Sequence, residues 1–150
     1  MLHLVERNHE AYLPLLLLAD PSEEMVRNYL PRGELYAWRS VEEETIGVLV
    51  LLQSEEGKVE IKNIAVREAY QGQGHGKQLL LTVLKNLKER EFREVIVSTG
   101  NSSIGNLAFY QKLGFRMIGI DFDYFLREYG EPIVENGIPC RDRILLSRPL

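Results

Sequence analysis

The segment KVEIKNIAVREAYQGQGHGKQLLLTVLKNLKE, residues 58 to 89, constrains the fold more than any other part of the chain. It opens with apolar–polar alternation, the two-residue period of a half-buried strand. It closes with Leu79, Leu80, Val83, Leu84 and Leu87 at helical spacing, with Lys85, Lys88, Glu89 and Arg90 opposite them. Where the two periods meet stand Gly72, Gly74 and Gly76, three glycines in five positions. A glycine inside a helix costs about 1 kcal/mol relative to alanine. Glycines at a helix start therefore point to something that must approach the backbone.

The rest of the chain supplies the partners for this strand and helix. LHLVE at the start is a strand, and helices are expected over 9 to 19 and over 22 to 30, the second started by Pro21, Ser22 and two early glutamates. ELYAWRS and TIGVLVLLQ are strand-like and are joined to KVEIKNIAV by turns at 42–44 and 54–58, so the three should pair antiparallel. EVIVST is a buried strand, parallel to 58–66 through a right-handed crossover. A helix follows from about Ser103 to Leu113, with Ser102 or Ser103 as N-cap and a stop at Gly114 and Phe115. FRMIGI and RDRILLSRPL are the last strands. Between them DFDYFLREYGEPIVENGIPC, residues 121 to 140, is an irregular excursion with a short helical turn, a length usually kept for function. The order implies an α/β (α+β) domain over 1–150 with a mixed, mostly antiparallel central sheet and helices on both faces.

Composition narrows the partners. A length of 150 residues with 45% hydrophobic and 27% charged content suits one soluble domain. A net charge of −4 without a dense Lys/Arg block gives no footprint for nucleic acid. The lone Cys140 makes neither a disulfide framework nor a metal cluster, fits a reducing cytoplasm, and has no His or Asn at a spacing that would make it a nucleophile. YLPLLLLA, residues 12 to 19, falls well short of the roughly 18 apolar residues that span a bilayer. Glu6 and Glu10 precede it and no small-residue cleavage site follows, so it is expected to be a buried helix and not a leader or membrane segment.

Three phosphate-binding patterns compete for the glycines. The dinucleotide fingerprint needs glycine at position 77, which is Lys77. A Walker loop needs glycine where Gln71 stands and Ser or Thr where Gln78 stands. The pattern Q/R-x-x-G-x-G/A is met in full by Gln71, Gly74 and Gly76. The first amides of a helix lack intrahelical partners, and the dipole places about half a positive charge there. A diphosphate can take those N–H groups only where no Cβ blocks it. This segment resembles the pyrophosphate-binding segment of the GNAT N-acetyltransferase superfamily. A second segment, NSSIGNLAFYQKLGFR, is similar to that superfamily's A-x-x-F-Y-x-x-x-G-F at Phe109, Tyr110, Gly114 and Phe115, with Asn106 where alanine is usual. The resemblance covers roughly residues 34 to 120.

The resemblance implies an N-acetyltransferase that carries acetyl from acetyl-CoA to a primary amine through a ternary complex, with no metal. It implies a coenzyme in a cleft where the strands around 64–66 and 95–99 splay apart. Ile64, Ala65 and Val66 would pair with pantetheine as an added strand would, and Ala65 or Val66 would donate to the thioester oxygen. The amides of Gln71, Gly72, Gln73, Gly74, His75, Gly76 and Lys77 would hold the pyrophosphate, with Lys77 either adding charge or simply solvated. Asn101 and Asn106 would contact pantetheine, although capping explains Asn101 equally well. Glu60 would be the general base, directly or through water, against the plainer reading of an ion pair with Lys62. Glu60, Lys62 and Ile64 share one face by strand alternation. Tyr110 would protonate the leaving thiolate, against a purely packing role. The acceptor is a small-molecule or peptide amine, its selection expected from residues 9 to 33 and 121 to 140, and a homodimer is possible through the terminal strand. A silent acyl-CoA-binding module and a nucleotide-binding protein are the rival readings.

Overall fold

Four of the expected strands form an antiparallel sheet: β1 (Leu2–Val5), β2 (Glu34–Arg39), β3 (Thr45–Gln53) and β4 (Lys58–Val66). The computed structural model describes all 150 residues and resolves into two units, Met1–Arg93 with Leu150 and Glu94–Pro149. In the first unit both faces of the sheet are covered, which is why β3 is buried almost without a break from Ile46 to Leu51. One face packs Leu35, Ala37, Val48, Val50 and Ala65 under α1 (Leu13–Leu16) and α2 (Glu23–Tyr29), through Leu13, Leu16, Val26 and Tyr29. The other receives α3 (His75–Glu89), whose Leu79, Leu80, Val83, Leu84 and Leu87 are all buried. Each such side chain contributes about 1.5–3 kcal/mol when fully buried. A Cβ on Gly47 would lie 2.9 Å from the Ala65 carbonyl oxygen and 3.5 Å from Leu79, so the sheet and α3 leave no room for one there.

The helix expected over 9–19 is shorter than its apolar run. A 3₁₀ turn at His9–Tyr12 gives way to the single turn of α1, with Pro14 in its first turn. Proline has no N–H to bond back into the preceding turn, so the two pieces cannot merge into one helix. Helix α2 begins as its sequence signals, the Ser22 hydroxyl oxygen accepting the Met25 N–H at 3.2 Å.

The second unit holds β5 (Glu94–Gly100), α4 (Ile104–Lys112), β6 (Arg116–Asp121), α5 (Tyr124–Glu128), the hairpin β7 (Ile133–Glu135) and β8 (Ile138–Cys140), and β9 (Arg143–Pro149). Strand β9 lies antiparallel between β5 and β6. Helix α4 ends at the expected glycine. Gly114 sits at φ +89°, its N–H reaches the Gln111 carbonyl at 3.1 Å, and the N–H of buried Phe115 reaches Tyr110 at 3.0 Å. That is a Schellman closure with its hydrophobic contact. The excursion over 121–140 is more ordered than expected. Asn136 and Gly137, at φ 54° and 72°, make the two-residue turn of the β7–β8 hairpin.

Candidate active site

The glycine loop leaves a helix start without a cap. Gly74 is the N-cap of α3 at φ +85°, carries no capping side chain, and is followed by a first turn without acidic residues. Gly72 stands at φ +76°, and a Cβ placed on either glycine would meet nothing within 4 Å. Their left-handed backbone favours glycine, and the space in front of them is open. The amides of Gln73 through Lys77 find no acceptor in the chain. An anion with several oxygens fits such a cradle. Lys77 is exposed and pairs with no carboxylate.

Gln71 has a different task from the one its motif position suggests. Its own N–H is bonded to the Glu68 carbonyl at 3.2 Å, and its side chain donates to the Val66 carbonyl at 2.9 Å. It closes the loop against the end of β4, so the amides left for a ligand start after it. Gln73 likewise returns its side chain to the Ala69 carbonyl. The His75 ring packs edge-on against Tyr70, with Nδ1 buried and unpartnered, and its main-chain N–H has no acceptor in the chain.

Strand β4 carries a break in its alternation. Val50 pairs with Asn63 but Leu51 pairs with Ile61, so Lys62 has no partner on β3 and forms a bulge. The bulge overturns the expectation that Glu60, Lys62 and Ile64 share a face. Glu60 sits opposite Leu52 and Ile64 opposite Leu49, residues on opposite sides of β3. Instead Glu60, Lys62 and Asn63 turn to the side covered by α1 and α2. Glu60 Oε2 lies 3.6 Å from Lys62 Nζ, both side chains about one-quarter exposed (24% and 22%). Lys62 Nζ also lies 5.5 Å from the centre of the Tyr29 ring. The ion pair anticipated for Glu60 is present.

Asn63 escaped the sequence reading. It is 4% exposed, and its Nδ2 donates to the Leu16 carbonyl and to Tyr29 Oη, both at 3.0 Å, while its Oδ1 has no donor. The only available signal was an amide in an otherwise apolar strand segment. The three residues expected along the coenzyme also divide. Arg67 N–H bonds to the Ile46 carbonyl at 2.8 Å, which sets the hydrogen-bonding phase of β4. In that phase Ala65 is bonded to β3, whereas Ile64 and Val66 direct their main-chain groups away from it. Ala65 is therefore excluded as a main-chain donor to a thioester, and Val66 has its carbonyl held by Gln71 but its N–H directed outward.

In the second unit, Tyr110 is buried on α4, its ring edge-on to Phe109 at 5.3 Å and Phe115 at 5.5 Å. Burial pushes its phenol well above the ordinary tyrosine range, so the hydroxyl keeps its proton at any neutral or mildly alkaline pH. No hydrogen bond within the chain holds that hydroxyl. Asn106 is exposed on the same helix, with one long contact of 3.5 Å to the Thr99 hydroxyl.

Asn101 is neither a cap nor a free contact. Its Oδ1 accepts from the amides of Arg141 (2.8 Å) and Asp142 (2.9 Å), and its Nδ2 donates to the Pro139 carbonyl at 3.1 Å. These bonds tie the end of β5 to the chain leaving β8, and they occupy the groups it would have offered to pantetheine. Ser103 is the N-cap of α4 by position, but its hydroxyl donates to Glu135 at 3.0 Å and accepts no N–H from the helix. Cys140 is buried, its thiol raised chiefly by that burial, which makes it an inert packing group. A Cβ on Gly100 would come within 2.6 Å of its sulfur.

Comparison with known proteins places the chain among acetyltransferases. The model described as "Acetyltransferase (GNAT) family" matches residues 4–115. The Bacillus subtilis (strain 168) protein named uncharacterized N-acetyltransferase YvbK is 51% identical over 142 residues, 94% of this chain and 90% of that one. A GNAT family acetyltransferase from Elizabethkingia anophelis, solved with acetyl-CoA bound, is 45% identical with a TM-score of 0.95, covering 100% of this chain and 97% of the other. A Bacillus subtilis acetyltransferase solved with CoA is 47% identical with a TM-score of 0.91, covering 99% of this chain and 97% of the other. The fold class is that of these neighbours, a mixed and mostly antiparallel α/β sheet flanked by helices. No helix of the chain is long and apolar enough to cross a membrane.

Proposed function

The chain belongs to the GNAT acetyltransferase family, and we propose on that footing that it transfers acetyl from acetyl-CoA to a primary amine by direct attack in a ternary complex. The observation that carries the reading is the uncapped start of α3. Five consecutive amides, Gln73 to Lys77, lack acceptors behind two glycines whose missing Cβ atoms leave the approach open. Relatives of this chain at 45% and 47% identity were solved with acetyl-CoA and with CoA, which supports the coenzyme as the anion concerned.

The coenzyme supplies the acetyl group as a thioester; the chain's own groups position it and manage protons. The loop amides and the dipole of α3 hold the diphosphate. Ile64 and Val66 offer outward main-chain groups to an extended ligand, and the Val66 N–H is the donor for the carbonyl oxygen as negative charge develops there. Glu60 takes a proton from the acceptor's ammonium, because an alkylamine with a pKa near 10.4 is otherwise almost fully protonated at neutral pH. A new N–C bond then forms as the C–S bond breaks. Tyr110, protonated before the step, gives its proton to the departing thiolate and is restored by the second proton of the attacking amine.

Titration with CoA and with ATP, followed by thiol release in the presence of an amine panel, tests the proposal. CoA should bind clearly more tightly than ATP, and thiol should appear only when an amine is present. Equal binding of both nucleotides would remove the coenzyme assignment. Tight CoA binding without thiol release from any amine would leave a binding module in place of an enzyme.

A further inference from the structure

The bulge at Lys62 builds a polar patch whose groups are incompletely matched to one another. Glu60 and Lys62 form an ion pair at 3.6 Å, yet neither side chain makes a hydrogen bond anywhere in the chain. Both charged ends still reach the surface, so the ammonium's donors and the carboxylate's lone pairs stay available to a ligand, on side chains about three-quarters removed from solvent. Half-buried charges are normally kept by filling those positions. Lys62 is not merely a long side chain lying loose, because the Tyr29 ring supports its ammonium from another direction. Asn63, on the same side of the strand, adds a buried Oδ1 that also lacks a donor.

From this arrangement we infer that the acceptor is an amino carboxylate, an amine with a carboxylate on the adjacent carbon. The inference rests on the acetyltransferase reading and names the substrate class for it. A plain alkylammonium can reach Glu60 only by displacing Lys62 or by adding a second cation beside it. A zwitterion meets neither difficulty. Its ammonium goes to Glu60 and its carboxylate to Lys62, so the four charges alternate and all lie close to an opposite charge. Neutralising Lys62 in this way also frees the Glu60 carboxylate to accept the amine's proton, which makes Glu60 a competent base chiefly when the right acceptor is present. Lys62 is thus the residue that sets specificity, and the bulge is what places it beside the base.

The test compares L-amino acids with amino alcohols bearing the same side chain, in which a hydroxymethyl group replaces the carboxylate and the amine stays similarly basic. Thiol release from acetyl-CoA gives kcat/KM for each, and the ratio within one preparation is independent of the fraction folded. The wild type should prefer the amino acid by at least about tenfold, or about 1.4 kcal/mol. The ratio should fall toward one in Lys62→Met and in Lys62→Gln, and it should be retained in Lys62→Arg. A wild-type ratio near one, or a preference that both neutral variants keep, overturns the inference while the acetyltransferase reading stands. Absence of thiol release with every amine removes that reading and the inference with it.

Discussion

Replacing Gly74 by alanine separates what the loop does for the fold from what it does for the ligand. Gly74 is held at φ +85°, where an L-residue costs about 1–2 kcal/mol. A Cβ there meets nothing within 4 Å, so no clash adds to that figure. At roughly 2–4 °C per kcal/mol for a domain of this size, the melting temperature should fall by about 2–8 °C. The effect on the ligand is larger. The new methyl stands in front of amides that have no other partner, and each hydrogen bond to a charged group contributes about 1.5–3 kcal/mol. Losing one such bond weakens CoA binding by about 10- to 150-fold. Gly137 is a matched control, at φ +72° in the β7–β8 turn and equally open, so Gly137→Ala carries the same backbone penalty away from the loop. Differential scanning calorimetry gives both stabilities, and isothermal titration gives CoA and pantetheine affinities. The reasoning predicts similar melting shifts, a loss of CoA affinity only in Gly74→Ala, and little change for pantetheine, which lacks the diphosphate. Equal CoA affinity in the two variants would refute it.

Other outcomes follow from the same contacts. Tyr110→Phe should slow turnover by on the order of 10² with CoA affinity near normal, and unchanged kcat would remove its role as acid. The same variant should resist alkali better. A buried phenol whose folded pKa is raised contributes full stability below about pH 10, the unfolded value, and loses it as pH climbs toward the folded one, a loss that phenylalanine cannot show. Glu60→Gln should depress the rate chiefly at pH values below the acceptor's own pKa, and an unaltered pH–rate profile would dismiss it as base. Asn101→Ala removes side-chain bonds to Pro139, Arg141 and Asp142 and should cost about 1.5–4 kcal/mol of stability at unchanged CoA affinity; lost affinity with stability intact would return Asn101 to the binding site. Cys140→Ala should leave turnover unchanged, and the wild-type thiol should resist alkylation at pH 8 until the chain unfolds.

The elements were legible wherever a single period ran long enough. The five buried leucines and valines of α3 and the β-branched and aromatic runs of β2 to β4 announced themselves, and so did the Gly114 stop. The glycine loop was legible for a different reason, since glycines crowded at a helix start are costly unless something must reach the backbone there. What stayed hidden depended on a partner far along the chain or on one extra residue. Nothing in EIKNI marks Lys62 as a bulge, because the bulge is defined by what β3 fails to offer it. Gln71 stood at a motif position and Asn101 was a candidate for pantetheine or for a cap, yet both close the protein's own turns. The β7–β8 hairpin was signalled by Asn136–Gly137, a stronger cue than the surrounding glycines and prolines that led to the expectation of an irregular loop. Pro14 was in plain view inside the apolar run, and the length of that run obscured it.

One surplus residue in β4 also fixes what kinds of change the strand can tolerate. Deleting Lys62 would leave Asn63, Ile61 and Glu60 opposite Val50, Leu51 and Leu52 in unbroken alternation, so Glu60, Asn63 and Ala65 would all keep their side of the sheet. The strand can therefore lose this position without shifting either flank, and what disappears is only the cation beside the carboxylate.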